Sequence, residues 1–452
     1  MHVHILGICG TFMGGVAALA RAAGHRVTGA DRGAYPPMSD QLAALGIDLT
    51  EGYEADQLEP APDVVLVGNV MTRGIPVIEA LLNSRIPYTS GPDWLAREVL
   101  RDRHVLAVAG THGKTTTASL LAWILDCAGC APGFLIGGVP RDFGISARLG
   151  HGEAFVIEAD EYDTAFFDKR AKFLLYRPRT TIINNLEFDH ADIYPDLAAI
   201  QRQFHRLIRA LPGAGRLIVR AGEPNLDALL THDVWTPLTS FSSAPEAGAD
   251  WTGRATGSRF RLQHAGAEVG EVAWQLAGSH NAENATAALI AAAELGVSPA
   301  AALAAIGRFG GVKRRLELRG IFGGVELYDD FAHHPTAIVR TLAGIRARGP
   351  GGRVLVALEP RSHTMRMGVH REQLGPALAG ADHAWVLRPA QLDWNLDAAL
   401  ASHRSISIRD DVARIVSEIA AEARAGDRIV VMSNGGFDGI HDRLVQSLPD
   451  PG

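Results

Sequence analysis

Val108-Ala109-Gly110-Thr111-His112-Gly113-Lys114-Thr115-Thr116 carries a strand end, a glycine turn and a helix start in one short stretch. Residues 104–109 are an apolar run of strand length, and residues 115–127 have the apolar spacing of a helix. Between them, two glycines let the backbone curl so that its N–H groups point into one space. The start of the helix adds partial positive charge there. Such a turn seats an anion, and a phosphate above all. Lys114 can reach the outer phosphates of a nucleotide, and the Thr115 hydroxyl can hold Mg²⁺. Gly110, Thr111, His112, Gly113, Lys114, Thr115 and Thr116 are therefore the candidate ATP-binding residues. The spacing is G-x-x-G-K-T, shorter than the general G-x-x-x-x-G-K-[ST], because Val108 stands where that pattern has glycine. The plain alternative is a glycine turn ahead of an ordinary helix. The chain has four lysines, Lys114, Lys169, Lys172 and Lys313, and one of them falls in this turn, which weighs against chance.

On both sides of the turn the chain alternates strand, turn and helix, the pattern of a doubly wound parallel sheet. Strands are predicted at 3–7, 26–29, 64–67, 154–157, 180–183, 217–219, 326–328, 354–358, 384–387 and 428–432. Helices are predicted at 15–23, 282–295, 299–306, 335–346 and 440–448. Residues 235–275, with Thr, Ser and Gly in short alternations, predict a β-rich insertion. The 452 residues exceed what one core of about 250–300 residues supports. The expected fold class is α/β with three domains. Residues 1–103 form an N-terminal Rossmann-like domain, 104–312 a central P-loop ATPase-type sheet, and 313–452 a C-terminal Rossmann-like domain.

A net charge of −7 argues against a general nucleic-acid binder, though not against a local basic site. Three cysteines in so long a chain make no disulfide framework and fit a reducing compartment. Cys127 and Cys130 have C-x-x-C spacing, but at a helix end, where thiolates are not stabilised. The N-terminus lacks the basic, apolar pattern of a signal peptide, and no apolar run is long enough to span a bilayer. A cytoplasmic protein with no membrane partner is expected, monomer or homodimer.

Other clusters could complete a nucleotide site. The strand 154–157 runs into Glu158-Ala159-Asp160-Glu161-Tyr162-Asp163. Ligands of open parallel sheets sit at the carboxyl ends of strands, and Mg²⁺ takes carboxylate oxygens. A solvated acidic loop is the alternative. The strand 180–183 ends in Asn184-Asn185-Leu186-Glu187-Phe188-Asp189-His190, where His190 is either a second metal ligand or a surface ion pair. Near the N-terminus, Gly7-Ile8-Cys9-Gly10-Thr11-Phe12-Met13-Gly14 is followed by Asp31 at a strand end. This is not G-x-G-x-x-G, yet a diphosphate could sit on the helix start and a ribose near Asp31. A nicotinamide dehydrogenase is one reading of that segment; a second, substrate nucleotide is the other. Gly278-Ser279-His280-Asn281-Ala282-Glu283-Asn284 opens an apolar helix, and its amides read as caps. Asp329-Asp330-Phe331-Ala332-His333-His334-Pro335 places two acids and two histidines at a strand end.

Together these motifs resemble the Mur ligases of peptidoglycan synthesis, over nearly the whole chain. The shared features are the G-T-x-G-K-T loop, Glu158-Ala159-Asp160-Glu161, Asp189-His190, G-x-H-N-x-x-N, Arg314-Arg315 and D-D-x-A-H-H-P. Gly68-Asn69-Val70-Met71-Thr72-Arg73-Gly74, the stretch 162–170 and Met432-Ser433-Asn434-Gly435-Gly436-Phe437 look like the recycling members. Those join UDP-N-acetylmuramate to the murein tripeptide L-Ala-γ-D-Glu-meso-diaminopimelate. The resemblance implies an ATP- and Mg²⁺-dependent ligase with catalytic residues Lys114, Glu158 and His190. Thr115 and Glu158 would hold one Mg²⁺ and His190 a second. His280 and Asn281 would lie near the nucleotide, with Arg314 and Asp330 closing over it. Gly10, Thr11, Phe12, Met13, Asp31 and Asn69 would bind the UDP-sugar. Arg361, Ser362, Thr364 and Asn434, at strand ends, are the candidates for the peptide. Some members carry a carbamylated lysine beyond the metal histidine, but no lysine lies between Lys172 and Lys313 here. An alanine-adding ligase on the same sugar and a non-catalytic ATP-binding regulator are the remaining alternatives.

Overall fold

Strands built from near-continuous apolar runs need cover on both faces, and parallel sheets supply it through their crossover helices. The computed structural model describes residues 1–33, 38–276, 278–349 and 351–449, and three such sheets organise them. The first is wholly parallel, in the order Asp48–Glu51, Arg26–Asp31, His2–Leu6, Val64–Val67, Tyr88–Ser90. The chain winds one way from His2–Leu6 and then the other, so a crevice opens where the order reverses. Gly7 and Gly68 stand at that point, each just past a strand end.

The central sheet has ten strands. His104–Ala109 lies between Ala154–Glu158 and Thr180–Ile183, all parallel, so the phosphate turn, the acidic run and the Asn184-Asn185 pair emerge side by side. The residues predicted to be a β-rich insertion are β-rich, and their four strands extend this sheet. Leu238–Ser242 adds a parallel strand, Trp251–Thr256 follows it, and Arg259–His264 and Ala267–Ala273 close the edge as an antiparallel meander. Short polar alternation is what a sheet edge with one solvated face requires.

Lys114–Cys127 and Ser279–Ala293 pack on one face of this sheet. From Ala282 to Ala292 the second helix is buried on nearly every side, and its alanines permit that close approach. On the other face, Val16 and Leu19 of the helix Thr11–Ala22 share a core with Leu135, Ala147 and Phe155. The first and central sheets are therefore joined by continuous apolar packing. In the third sheet, Val325–Asp330, Arg428–Met432, Val354–Leu358, His383–Leu387 and Ile406–Arg409 run parallel, with Glu317–Phe322 as an antiparallel edge. No helix among the described residues is long and apolar enough to cross a membrane.

Candidate active site

Two cavities flank the acidic run. The turn after His104–Ala109 shapes the smaller, of about 240 Å³. Gly110 has φ +122°, and a Cβ there would lie 2.9 Å from the Asn185 carbonyl, so only glycine fits. Asn185 clasps the turn, its carbonyl accepting from Thr111 N at 3.2 Å and its Oδ1 from His112 N at 2.8 Å. Lys114 starts the helix and its Nζ lies 3.0 Å from Glu161 Oε2 and 3.4 Å from Asp160 Oδ1. Burial alone would lower its pKa, but Glu161, Asp160 and Glu158 outweigh it and keep the ammonium charged. Thr115 Oγ1 donates to Glu158 Oε1 at 3.1 Å and accepts from Arg315 Nη2 at 2.9 Å. Gly137 N donates to the other Glu158 oxygen at 2.7 Å. Burial nevertheless pushes the Glu158 carboxyl up.

The acids are paired rather than solvated. Asp160 is shared between Lys114 and Lys172, and these with His190 overcome burial to hold its carboxyl at about 2. His190 sits at φ +56° with Nε2 3.3 Å from Glu161 Oε1. Burial would lower its pKa, but the Glu161 hydrogen bond and charge, then Asp189 and Asp160, raise it to about 9. Asp160, Glu161 and His190 each present one ligand atom within 4.8 Å of the others. With the Thr115 hydroxyl and Glu158 alongside, the donors are mostly hard oxygens, which suits Mg²⁺. His190 must shed its proton before it can bind a cation.

His280 and Asn281 line the same cavity, and burial, then Arg340, lowers the His280 ring to about 4. The N-cap of this helix is Gly278, which has no side chain to cap with. Asn284 instead packs on the phosphate turn, where a Cβ on Gly113 would lie 2.6 Å from its Oδ1. The third sheet supplies the remaining wall. Asp330 lines it, but its carboxylate already accepts from Leu316 N at 2.7 Å, Ala332 N at 2.8 Å and Thr341 Oγ1 at 3.1 Å. Arg314 does not enter the cavity. Its Nη2 donates to the Ser433 and Gly435 carbonyls, both at 2.7 Å, and it is Arg315 that reaches Thr115. The positive φ of Arg314, +59°, breaks any regular alternation, so the Arg-Arg doublet alone could not say which member points inward.

The larger cavity, of about 660 Å³, opens at the crevice of the first sheet. All six residues expected at a UDP-sugar, Gly10, Thr11, Phe12, Met13, Asp31 and Asn69, line it. Asp31 braces the glycine turn, accepting from Cys9 N at 2.9 Å. Glu158 lines both cavities, so they meet at that carboxylate. The peptide candidates scatter. Arg361 lines a separate cleft of the third sheet, and Ser362 caps the short helix His363–Arg366. Thr364 is buried and donates to Asp189 Oδ1 at 2.9 Å, tying the third sheet to the central one. Asn434 Oδ1 is buried without a partner. Asn185, Glu161, Arg315 and Lys172 are site residues that spacing did not single out; Lys172 was detectable only as one of four lysines. The thiols of Cys127 and Cys130 are pushed up by burial, which gives a redox pair no support.

Three family models match the chain: Mur ligase family, catalytic domain, at residues 2–103; Mur ligase middle domain at 108–292; and Mur ligase, glutamate ligase domain, at 314–435. The chain is 52% identical to the UDP-N-acetylmuramate–L-alanyl-γ-D-glutamyl-meso-2,6-diaminoheptandioate ligase of Escherichia coli K12, over 99% of this chain and 98% of that one. It is 49% identical to the ligase of the same description from Haemophilus influenzae, over 99% of each. A solved murein peptide ligase from Psychrobacter arcticus superposes with a TM-score of 0.77 at 46% identity, covering 100% of this chain and 99% of that one.

Proposed function

We infer that this chain, which belongs to the Mur ligase family, joins the carboxylate of UDP-N-acetylmuramate to the free amine of L-Ala-γ-D-Glu-meso-diaminopimelate at the expense of ATP. The observation that carries this reading is the position of Glu158, one carboxylate on the wall of both cavities. A sugar nucleotide on one side and ATP on the other would bring a carboxylate and a γ-phosphate together beside it. The substrate pair follows the E. coli and H. influenzae relatives.

The muramoyl carboxylate attacks the γ-phosphate, ADP leaves, and an acyl phosphate forms. The peptide amine then displaces phosphate to give the amide. Lys114 and the turn N–H groups offset the charge on the transferring phosphoryl group. Thr115 and Glu158, with His190 beyond them, would hold Mg²⁺, which supplies further charge neutralisation at the phosphates. Arg315, on the Thr115 hydroxyl, adds a cation from the third unit. Thr364 on Asp189 and Thr336 on Glu187 clasp the third sheet against the central one, keeping water from the acyl phosphate. Release of ADP with UDP-N-acetylmuramate plus either the tripeptide or L-alanine tests the assignment. Turnover with the tripeptide is expected; turnover with alanine alone would overturn the substrate, and none with either would overturn the ligase reading.

A further inference from the structure

Lys172 is a buried cation that the phosphate chemistry leaves unused. Its side chain is 9% exposed, and it lines the larger cavity. Its nearest acid is Asp160, with Oδ2 at 3.8 Å, too far for a hydrogen bond. Asp160 is itself drawn toward Lys114 at 3.4 Å. The Lys172 ammonium otherwise faces two aromatic rings, Phe12 at 5.2 Å and Tyr162 at 5.5 Å. Rings attract a cation but accept none of its N–H donors in full. No side chain among the described residues accepts a hydrogen bond from this ammonium, which opens on the cavity, so a ligand acceptor placed there would gain a charge-assisted hydrogen bond.

Its position selects the ligand group. Phe12 belongs to the helix start beneath the expected diphosphate, whereas Asp160 and Tyr162 belong to the acidic run beside Lys114. Lys172 therefore stands on the wall of the larger cavity, next to the Asp160 carboxylate that also meets Lys114 of the smaller one. The backbone secures it there, with Lys172 N donating to the Tyr162 carbonyl at 2.9 Å. The helix start at Thr11 already offers N–H groups to a diphosphate.

We propose that Lys172 binds the carboxylate of the sugar nucleotide and aims it at the phosphoryl group held by Lys114. This rests on the reading that UDP-N-acetylmuramate fills the larger cavity. Calorimetric titration of the full-length wild type, Lys172→Met and Lys172→Arg with UDP-N-acetylmuramate and with UDP-N-acetylglucosamine, which lacks the carboxylate, tests it. Lys172→Met should weaken the muramate ligand by about tenfold or more, the scale of one charge-assisted hydrogen bond, and barely change the other. Lys172→Arg should recover part of the loss. In turnover, KM for UDP-N-acetylmuramate should rise while KM for ATP stays put. Equal weakening of both ligands would reassign Lys172 to the diphosphate, and unchanged binding would remove it from the site. A wild type that ignores UDP-N-acetylmuramate would instead sink the reading of the cavity itself.

Discussion

The chain makes a four-residue glycine turn between strand and helix twice. Four residues separate Leu6 from the helix at Thr11, and four separate Ala109 from the helix at Lys114. Both follow a parallel strand, both contain two glycines, and both leave the first N–H groups of a helix without intrahelical partners. Their surroundings differ. The first turn rests on its own sheet, with Gly7 N and Ile8 N donating to the Ala30 carbonyl and Cys9 N to Asp31. It opens into the larger cavity, of about 660 Å³. The second is gripped from outside by Asn185 and ringed by Lys114, Glu161, Asp160, Glu158 and Arg315. Two turns of the same length and glycine content thus open on different surroundings, according to what the neighbouring strands end in.

Lys114→Ala should separate the two most sharply. Loss of a cation at the transferring phosphoryl group is expected to cut ADP release by about 100-fold or more, with calorimetric binding of UDP-N-acetylmuramate little changed. Near-wild-type turnover would break the assignment of the second turn. The arginine doublet should divide next. Arg315→Ala should lower kcat roughly tenfold with an unaltered unfolding midpoint, because it removes one charge-assisted contact at Thr115. Arg314→Ala should chiefly destabilise the third sheet, by about 1–3 kcal/mol in denaturant unfolding, since two backbone carbonyls lose their donor. The reverse pattern would restore Arg314 to the nucleotide.

Glycine replacement sharpens the comparison further. At the helix N-cap that ends the second turn, Gly113→Ala puts a Cβ 2.6 Å from Asn284 Oδ1 at φ +82° and should cost about 1–3 kcal/mol as well as ATP affinity. Gly10 has φ −64° and its nearest neighbour 3.5 Å from a Cβ, so Gly10→Ala should cost within about 1 kcal/mol. Equal penalties would mean that the two turns are held alike. The smallest effect is electrostatic and shows itself on acidification. Burial lowers the His4 ring, beneath the first turn, to about 4, whereas His190, beside the second, is raised to about 9. A folded-state pKa below the usual 6.5 means that His4 contributes stability above pH 6.5, lost as pH falls toward 4. NMR titration of the His4 ring checks this, and a midpoint near 6.5 would show that the strand does not bury it.

Much of this was legible in the chain itself. Residues 64–67, 104–109, 180–183, 299–306, 354–358 and 428–432 have the predicted bounds, because apolar runs of that length between turn residues leave the backbone few choices. The helix Leu197–Ala210 and the strand Ile406–Arg409 escaped, one for its polar outer face and the other for its half-buried edge position. Residues 235–275 are β-rich as predicted, but their place on the edge of the central sheet, like that of Asn284 on the phosphate turn, comes from tertiary packing.

By itself, then, the sequence determined where the phosphate turn lies, which acids and histidines follow strand ends, and the family to which these belong, since local periodicity and turn chemistry act over a few residues. Only the tertiary structure decided that Arg315 rather than Arg314 faces Thr115, that Glu158 stands between two cavities, and that Lys172 finds no hydrogen-bond acceptor among the described residues. Those facts depend on contacts between residues tens to hundreds of positions apart, and no local pattern encodes the direction in which a side chain points once the sheets have packed.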